Sequence, residues 1–328
     1  MNILVTGGAG YIGSHTVRAL QKAGHTPVVL DNLSRGHVES LPANVEFINM
    51  DIADPALVNL LKEKQIDGVM HFAAHSQVGE SMTNPMIYYE NNVVGSFQLI
   101  EAVRQAGVKY FVFSSTAAVY GEPEVVPIKE DARLAPTNVY GRTKLMIEQM
   151  LQDYSNIYGL RYVALRYFNA AGADSSGEIG EDHTPETHLI PLILEAALGK
   201  RPNITIFGTD YDTADGTCVR DYIHVNDLAS AHILSMEYLR DGGASNYFNL
   251  GSGNGFSVKE IVDTTKSVTG VDFPVVIGER RAGDPGTLIA SSEKAQTVLG
   301  WKPTHSDVTQ VIKDAWQWHQ GHPNGYKA

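Results

Sequence analysis

A tyrosine and a lysine four residues apart are the first candidates for chemistry in this sequence. Tyr140 and Lys144 fall in a helix predicted over about 140–159, so both side chains are expected on one helix face. An ammonium beside a phenol favours the phenolate, which can remove a proton from an alcohol at neutral pH. Such a pair also occurs as an ordinary surface feature. Thr116, at the end of a predicted strand, offers a hydroxyl to the reacting oxygen, and the three residues together favour the catalytic interpretation.

A glycine-rich turn near the start of the chain is the second candidate site. Four apolar or β-branched residues at 3–6 predict a buried strand, and Gly7, Gly10 and Gly13 follow it. A helix is predicted next, over 14–23. Glycines permit a tight turn and close approach to a ligand, and a helix N-terminus can receive a pyrophosphate. Strand, glycine turn and helix in this order predict a dinucleotide-binding unit.

An acidic residue indicates which dinucleotide binds. Asp31 ends the second predicted strand, at 26–30, and follows Gly13 by 31 − 13 = 18 residues. An acid in this place can bind the hydroxyls of the adenosine ribose and repel a 2′-phosphate. It could also be a loop or cap residue. We therefore expect NAD in preference to NADP, although Arg35 lies close in sequence.

Composition and charge exclude several classes of partner. The 328 residues carry a formal net charge of −12, which argues against nucleic acid or an anionic membrane as a general partner. An anionic substrate must then be held by local arginines. Cys218 is the only cysteine, so an internal disulfide is excluded and a reducing compartment fits. No apolar run approaches the length of a membrane span, and we expect a soluble, cytoplasmic protein.

The histidines considered as metal ligands do not predict a metal site. His71 falls on a predicted strand and His75 in the loop that follows it. They do not share one helix face, and they lack the acid that completes many zinc sites. We expect no metal.

Strands and helices alternate up to about residue 170. Further strands are predicted at 45–50, 68–74, 110–116 and 162–167, and further helices at about 55–64, 85–107 and 140–159. Such alternation predicts an α/β fold with a Rossmann-type doubly wound parallel sheet, covered on both faces, and a ligand at the C-terminal ends of the strands. Residues 1–170 are thus the expected NAD-binding domain.

The pattern changes after Asn169. Residues 172–188 indicate a loop, and shorter elements follow. We predict helices near 189–199, 226–240 and 257–269, and strands at 204–207 and 247–250. Residues 171–328 are interpreted as a smaller C-terminal α/β lobe that binds the substrate, with some segments returning to the first domain.

Short motifs along the whole chain identify a family. Their ranges are 5–15, 78–81, 88–93, 114–121, 140–144, 165–169, 180–182 and 220–225. In these motifs the chain resembles the extended short-chain dehydrogenase/reductases, and most closely the family of UDP-sugar 4-epimerases that interconverts UDP-glucose and UDP-galactose.

The resemblance implies Tyr140 as the base, with Thr116 and Lys144 assisting, and NAD as the cofactor. Together with the glycine turn, the expected NAD-binding residues are Gly7, Gly10, Tyr11, Ile12, Gly13, Asp31, Asn32, Asp51, Ile52, Phe72, Ala73, Asn91, Lys144 and Phe168. The expected UDP-sugar-binding residues are Thr116, Tyr140, Asn169, Leu189, Phe207, Arg220, Arg281, Asp284 and Leu288. The two arginines suit a diphosphate.

Two positions depart from the family pattern. Ser76 stands where some epimerases have a lysine that contacts the cofactor, and His188 stands where an asparagine often contacts the substrate. Neither residue is assigned to the site. The resemblance also implies a homodimer that forms through helices near 86–106 and 140–158.

The implied reaction inverts C4 of a UDP-hexose through a transient 4-keto sugar. A nucleotide-sugar 4,6-dehydratase would need an acid and a base where Ala117 and Ala118 stand, and alanine has no proton to give. A 4-epimerase of another UDP-sugar, such as UDP-glucuronate, remains an alternative. A non-catalytic dinucleotide sensor is the alternative from another class.

Leu288 carries a hypothesis about substrate size. Epimerases restricted to glucose and galactose tend to have a tyrosine at this position, four residues after Asp284, and a smaller residue accompanies N-acetyl sugars. Leu288 would leave space and an apolar wall for an acetamido group. The alternative is an ordinary core residue.

Overall fold

Seven parallel strands form the central sheet. The computed structural model describes residues 1–280 and 285–326. The sheet contains β1 (Asn2–Thr6), β2 (Thr26–Asp31), β3 (Glu46–Asn49), β4 (Gly68–His71), β5 (Tyr110–Thr116), β6 (Arg161–Tyr167) and β10 (Asn246–Leu250). Their order across the sheet is β3-β2-β1-β4-β5-β6-β10, and every neighbouring pair is parallel. This confirms the predicted doubly wound sheet.

Helices cover both faces of this sheet. The helices of the described residues, of which α7, α9 and α11 belong to a separate core, are α1 (Tyr11–Lys22), α2 (Leu57–Glu63), α3 (Val78–Thr83), α4 (Pro85–Tyr88), α5 (Ser96–Ala106), α6 (Val139–Tyr158), α7 (Leu189–Ala197), α8 (Val225–Arg240), α9 (Val258–Thr269), α10 (Glu293–Leu299) and α11 (Val308–Gly321). Strand side chains alternate between the faces, so Ile3 and Val5 pack with Val17 of α1 and Leu228 of α8. Leu4 packs on the opposite face, in a core that contains residues of α2, α5 and α6.

The long helix predicted over about 85–107 differs from the observed one. Residues Tyr89–Gly95 form a π-helical segment between α4 and α5. Its hydrogen-bond spacing leaves the apolar pattern of a helix largely intact, so the periodicity did not reveal it. Segments of this kind often occur at functional sites. Here the segment contains Asn91 and Asn92.

The remaining strands are short and belong to two small sheets. They are β7 (Asn169–Ala171), β8 (Ile204–Phe207), β9 (Val219–His224), β11 (Gly255–Ser257), β12 (Val275–Gly278) and β13 (Thr287–Leu288). Strand β9 pairs with β7, β11 and β13, and β12 pairs with β8. A separate apolar core joins α7, α9 and α11 beneath them.

Strand β10 crosses from this later part of the chain to the first sheet. It pairs with β6, so that Phe248 lies opposite Leu165. Among the helices of residues 1–280 and 285–326, none combines the length and the apolar character needed to cross a membrane.

Candidate active site

Tyr140 and Lys144 lie on one face of α6 and are buried against the sheet. Asn138 caps the helix by accepting a hydrogen bond from Gly141 N at 2.8 Å. Tyr140 is therefore in the first turn, where its own backbone N–H donates to Ser81 Oγ at 3.2 Å. Lys144 is 3% exposed, and its Nζ donates to the Ser114 carbonyl of β5 at 2.8 Å. The predicted pair is thus a buried one and not a surface pair.

The turn after β5 brings Thr116 to this helix. Thr116 Oγ1 accepts a hydrogen bond from Ala118 N at 3.1 Å, which fixes the short 3-10 turn Ala117–Val119. The N-terminus of α6 packs closely on this turn at Gly141. A Cβ there would lie 2.5 Å from the Ala118 carbonyl oxygen. Glycine at 141 thus permits the approach that sets Tyr140 beside Thr116.

Burial dominates the protonation of the pair. Burial raises the pKa of the Tyr140 phenol to about 12, with the Thr116 hydroxyl lowering it, and burial lowers the pKa of Lys144 to about 7. Lys144 Nζ lies 5.8 Å from the centroid of the Tyr140 ring. Without a cofactor, desolvation of the phenol outweighs this cation. The prediction that Lys144 and a positively charged nicotinamide together favour the phenolate stays a prediction. A further positive charge is needed to form the phenolate at neutral pH.

A buried ion pair holds the same helix face and was not predicted. Glu148, one turn after Lys144, accepts two hydrogen bonds from Arg166 of β6, from Nε at 2.9 Å and from Nη2 at 2.6 Å. It also accepts one from Ser115 Oγ at 2.6 Å. Tyr140, Lys144 and Glu148 recur every four residues, so this spacing was the available signal. The pair fixes the depth of α6 on the sheet.

Residues around the π-helical segment position the same helix. Asn92 Oδ1 accepts from His75 N, and its Nδ2 donates to the His75 carbonyl, both at 2.9 Å. Asn92 Nδ2 also reaches Thr143 Oγ1 at 3.3 Å. The loop after β4 is thereby tied to α6. Asn92 fell within a family motif but was not singled out.

The glycine turn has the shape that a pyrophosphate requires. Gly7 has a φ of +70°, and a Cβ there would lie 2.5 Å from Ala73 N. A Cβ on Gly13 would collide with the Gly7 carbonyl oxygen, so α1 packs tightly on the turn. Gly10 is the N-cap and provides no side-chain hydrogen bond. The N–H groups of the first helical turn are thus left for an anionic ligand.

Asp31 lies at the C-terminal end of β2, beside the turn. Its Oδ2 accepts from Ala9 N at 3.0 Å and its Oδ1 from Leu33 N at 2.9 Å. Burial raises the pKa of this carboxyl, and the two N–H donors lower it. Nearby, Asn32 Nδ2 donates to Asp51 Oδ2 at 2.8 Å. The carboxylates of Asp31 and Asp51 therefore lie at the edge of the sheet where an adenosine ribose would bind.

The other expected cofactor residues occupy different environments. Ile52 is 4% exposed and packs in the core, and Tyr11 OH donates to the Gly172 carbonyl at 2.6 Å. Phe72 packs on His232, with ring centroids 4.6 Å apart. The backbone of Ala73 lies against Gly7 of the glycine turn, and Ile12 is the second residue of α1. Asn91 Nδ2 donates to Asn92 Oδ1, and Phe168 packs beside the turn after β5.

The expected substrate residues come from the later part of the chain. Asn169 Nδ2 donates to the Asp221 carbonyl at 3.1 Å. Leu288 of β13 lies opposite Arg220 of β9, and it packs against the small core of Val119, Tyr120 and Ile128, as Phe168 also does. Leu189 is the first residue of α7, and Phe207 ends β8 with 38% of its surface exposed. Arg281 and Asp284 lie outside the described residues.

The positions without an assigned role are also accounted for. His71 Nδ1 lies 2.7 Å from Thr6 Oγ1 and its Nε2 lies 2.8 Å from Ser96 Oγ, so both ring nitrogens have hydrogen-bond partners. Ser76 is exposed in the loop after β4. His188 is the N-cap of α7, and its ring contacts Glu181 and Glu186.

The doubly wound sheet carries this glycine turn, and a buried tyrosine and lysine of α6 lie beside the threonine that ends β5. Together these features define a dinucleotide-dependent enzyme of the short-chain dehydrogenase/reductase type. The model of the NAD dependent epimerase/dehydratase family matches residues 3–251. The chain belongs to this family.

Known relatives support the same assignment over the full length. The chain is 55% identical over 327 residues to a UDP-glucose 4-epimerase of Halalkalibacterium halodurans, covering 99% of this chain and 98% of that one. A crystal structure of a UDP-glucose 4-epimerase is similar with a TM-score of 0.98, at 53% identity and with 100% of both chains covered. The Brucella ovis UDP-glucose 4-epimerase, solved in complex with NAD, has a TM-score of 0.94 at 49% identity, covering 96% of this chain and 97% of that one. The predicted resemblance is confirmed.

Proposed function

We propose that this protein is an isomerase that interconverts UDP-glucose and UDP-galactose by NAD-dependent inversion at C4, a step of galactose metabolism. The observation that carries the proposal is the buried arrangement of Tyr140, Lys144 and Thr116. It occurs in a chain that is similar throughout its length to UDP-glucose 4-epimerases. Residues 1–170 would bind NAD, and residues 171–328 would supply most of the UDP-sugar contacts.

The residues of the glycine turn fit NAD. First-turn N–H groups of α1 would bind its pyrophosphate, and Asp31 its adenosine ribose, which favours NAD over NADP. Bound NAD supplies the hydride acceptor and donor for C4, and its positive nicotinamide ring adds the charge that phenolate formation needs.

Tyr140 would act as both base and acid. It takes the proton of the 4-hydroxyl, and it returns a proton to the 4-keto sugar after the sugar has turned over in the pocket. Thr116 donates a hydrogen bond to the reacting oxygen during this exchange. Lys144 is held by the Ser114 carbonyl and stabilises the phenolate. Arg220 and Arg281 would hold the diphosphate, so the free ketone remains anchored.

Substrate range is the second part of the proposal. Leu288 is half-buried and packs against Val119 and Tyr120 in the turn that follows Thr116. This environment supports a place for Leu288 at the sugar rather than deep in the core. We therefore expect activity on UDP-N-acetylglucosamine and UDP-N-acetylgalactosamine as well.

A second copy of the chain is the proposed partner. Large apolar side chains are 46–70% exposed on α3 to α6, and they are Met82, Met86, Val94, Phe97, Ile157 and Tyr158. Exposed apolar surface of this kind suits a homodimer interface. Cys218 is buried and is the only cysteine of the sequence, which fits the proposed cytoplasmic location.

The direct test is conversion of UDP-galactose by the purified protein without added NAD. We expect UDP-glucose to appear, and the same mixture to form from either sugar. If the protein converts UDP-glucuronate but not UDP-galactose, it is the alternative 4-epimerase, which acts on another UDP-sugar. A protein that retains NAD but converts none of these sugars would be a dinucleotide sensor.

A further inference from the structure

Away from Tyr140, one loop gathers two histidines and two glutamates. Glu181, His183, Glu186 and His188 each offer one possible ligand atom, and these atoms all lie within 4.8 Å of one another. Glu181 Oε1 is 2.8 Å from His188 Nδ1 and 3.1 Å from His183 Nδ1. Glu186 Oε1 is 3.1 Å from His188 Nδ1, and Glu186 Oε2 is 3.7 Å from His183 Nδ1. We call these four residues the Glu/His cluster.

The spacing within the cluster matches a tetrahedral metal centre. Bonds from zinc to imidazole nitrogen or carboxylate oxygen are about 2.0–2.2 Å long, which places the ligand atoms of a regular tetrahedron about 3.3–3.6 Å apart. The four measured separations between a carboxylate oxygen and an imidazole nitrogen, 2.8–3.7 Å, bracket this range, and Glu186 offers a different oxygen to each histidine. Small side-chain rotations would therefore accommodate an ion at the centre.

Burial strengthens the case for a cation. The side chains of Glu181 and Glu186 are only 5% and 8% exposed, and two carboxylates this close require positive charge, which protonated His183 and His188 or a bound cation can supply. His183 Nδ1 is a buried nitrogen without a hydrogen-bond partner, although it lies within ion-pair distance of Glu181. Its lone pair can therefore be directed at an ion between the four side chains.

We propose that the Glu/His cluster is a binding site for a divalent first-row transition metal ion, with zinc the best fit. Two imidazole nitrogens and two carboxylate oxygens are a suitable ligand set for zinc. Four protein ligands leave no open position, which is the property of a structural site and not of a catalytic one.

The position of the cluster indicates what the ion would stabilise. Arg35 Nη1 donates to the Thr184 carbonyl, and Gln77 Nε2 donates to the Pro185 carbonyl, each at 2.9 Å. The His183 ring meets the Tyr11 ring edge-on, with centroids 6.4 Å apart. The loop thus connects the glycine turn with α7. A bound ion would hold these parts together without contacting Tyr140.

Metal binding by the full-length protein tests the proposal. After dialysis against a chelator, titration with zinc chloride in a calorimeter should show one ion per chain with a Kd of about 1 μM or tighter. Cobalt(II) bound in its place should give the strong visible absorption of tetrahedral coordination. Absence of stoichiometric binding, or the weak spectrum of octahedral cobalt, would overturn the proposal, and both readings need only the wild-type protein.

Variants then test the ligand assignment. We expect His183→Gln and Glu186→Gln each to weaken zinc binding by about 100-fold or more, since each removes one of four ligands. His25→Gln is the matched control, because it removes a different histidine that contacts a glutamate, His25 Nε2 to Glu237 Oε1 at 3.5 Å. Equal zinc affinity in the control and the cluster variants would place the ion elsewhere and contradict the assignment.

Discussion

The two halves of the proposed active site are built in different ways. The catalytic half lies on α6 and β5, where Tyr140, Lys144 and Thr116 are all buried. The recognition half takes Asn169 and Leu288, together with Arg220, from three short strands, and these side chains are only half-buried. Neighbouring long elements fix the first half, whereas pairing between segments distant in sequence forms the second.

This difference separates chemistry from recognition. Proton transfer requires groups held to within a fraction of an ångström, and buried side chains on regular elements provide such precision. Shorter strands and loops tolerate change, so the sugar that fits can change without disturbing the base. Changes to the catalytic half should therefore cost more than changes to the recognition half.

The largest expected effect is that of Tyr140→Phe. It removes only the ionisable oxygen, so turnover of UDP-galactose should fall by about 10³-fold or more while NAD stays bound. Tyr238→Phe is the control, since it removes the hydroxyl of a half-buried tyrosine on α8, outside the proposed active site and dimer interface. Steady-state assays compare the three proteins. If Tyr140→Phe keeps most of its activity, another group is the base.

The next largest effect is expected for Glu148→Gln, which should lower the free energy of unfolding. The variant leaves the Arg166 guanidinium buried opposite a neutral amide, which costs about 3–5 kcal/mol. The control is Asp263→Asn, which breaks the exposed pair with Lys259 in the later part of the chain and should cost far less stability, because solvent screens exposed charges. Urea unfolding measures both. Equal losses would mean that the buried pair does not anchor α6.

The pH dependence of the free energy of unfolding tests how fully Lys144 is removed from solvent. Burial lowers the pKa of Lys144 to about 7, whereas an unfolded lysine titrates near about 10.4. Between these values the unfolded chain binds one proton more, so this group makes the free energy of unfolding rise with pH, by up to about 1.4 kcal/mol per unit. Lys144→Met should lack this rise. Urea unfolding measures the free energy of unfolding of the wild type and of Lys144→Met at each pH. If the two values change with pH in the same way, Lys144 does not titrate as a buried group.

The smallest effect is expected for Leu288→Tyr in the recognition half. A larger side chain should lower kcat/KM for UDP-N-acetylgalactosamine by about fivefold, close to 1 kcal/mol, because the acetamido methyl loses its apolar contact. kcat/KM for UDP-galactose should hardly change. If the wild-type protein never turns over N-acetyl sugars, or the variant handles them equally well, Leu288 does not select the substrate.

The same contrast explains what the sequence could predict. Strand β5 was predicted with its observed bounds, and the four-residue spacing located the buried face of α6. Strand β9 was not predicted, because it mixes Arg220 and Asp221 with apolar residues. It forms by pairing with β7, β11 and β13, which no local pattern records.

Some features of the catalytic half were also beyond local patterns. The raised pKa of Tyr140 depends on how deeply the phenol is buried, and the Glu148–Arg166 pair joins residues from two elements. Glu181 and His188 lie in a stretch that indicated only a loop, so the Glu/His cluster became visible only when the loop was folded.

The central claim is that hydrogen leaves C4 as hydride and returns to the opposite face of the same carbon, while Tyr140 moves only the hydroxyl proton. The most direct measurement is turnover of UDP-galactose that carries deuterium at C4, with the product UDP-glucose examined by NMR and mass spectrometry. The account predicts that deuterium stays at C4, because hydride held on bound NAD does not exchange with water. Replacement of that deuterium by hydrogen from the solvent would contradict it, since C4 would then have lost a proton.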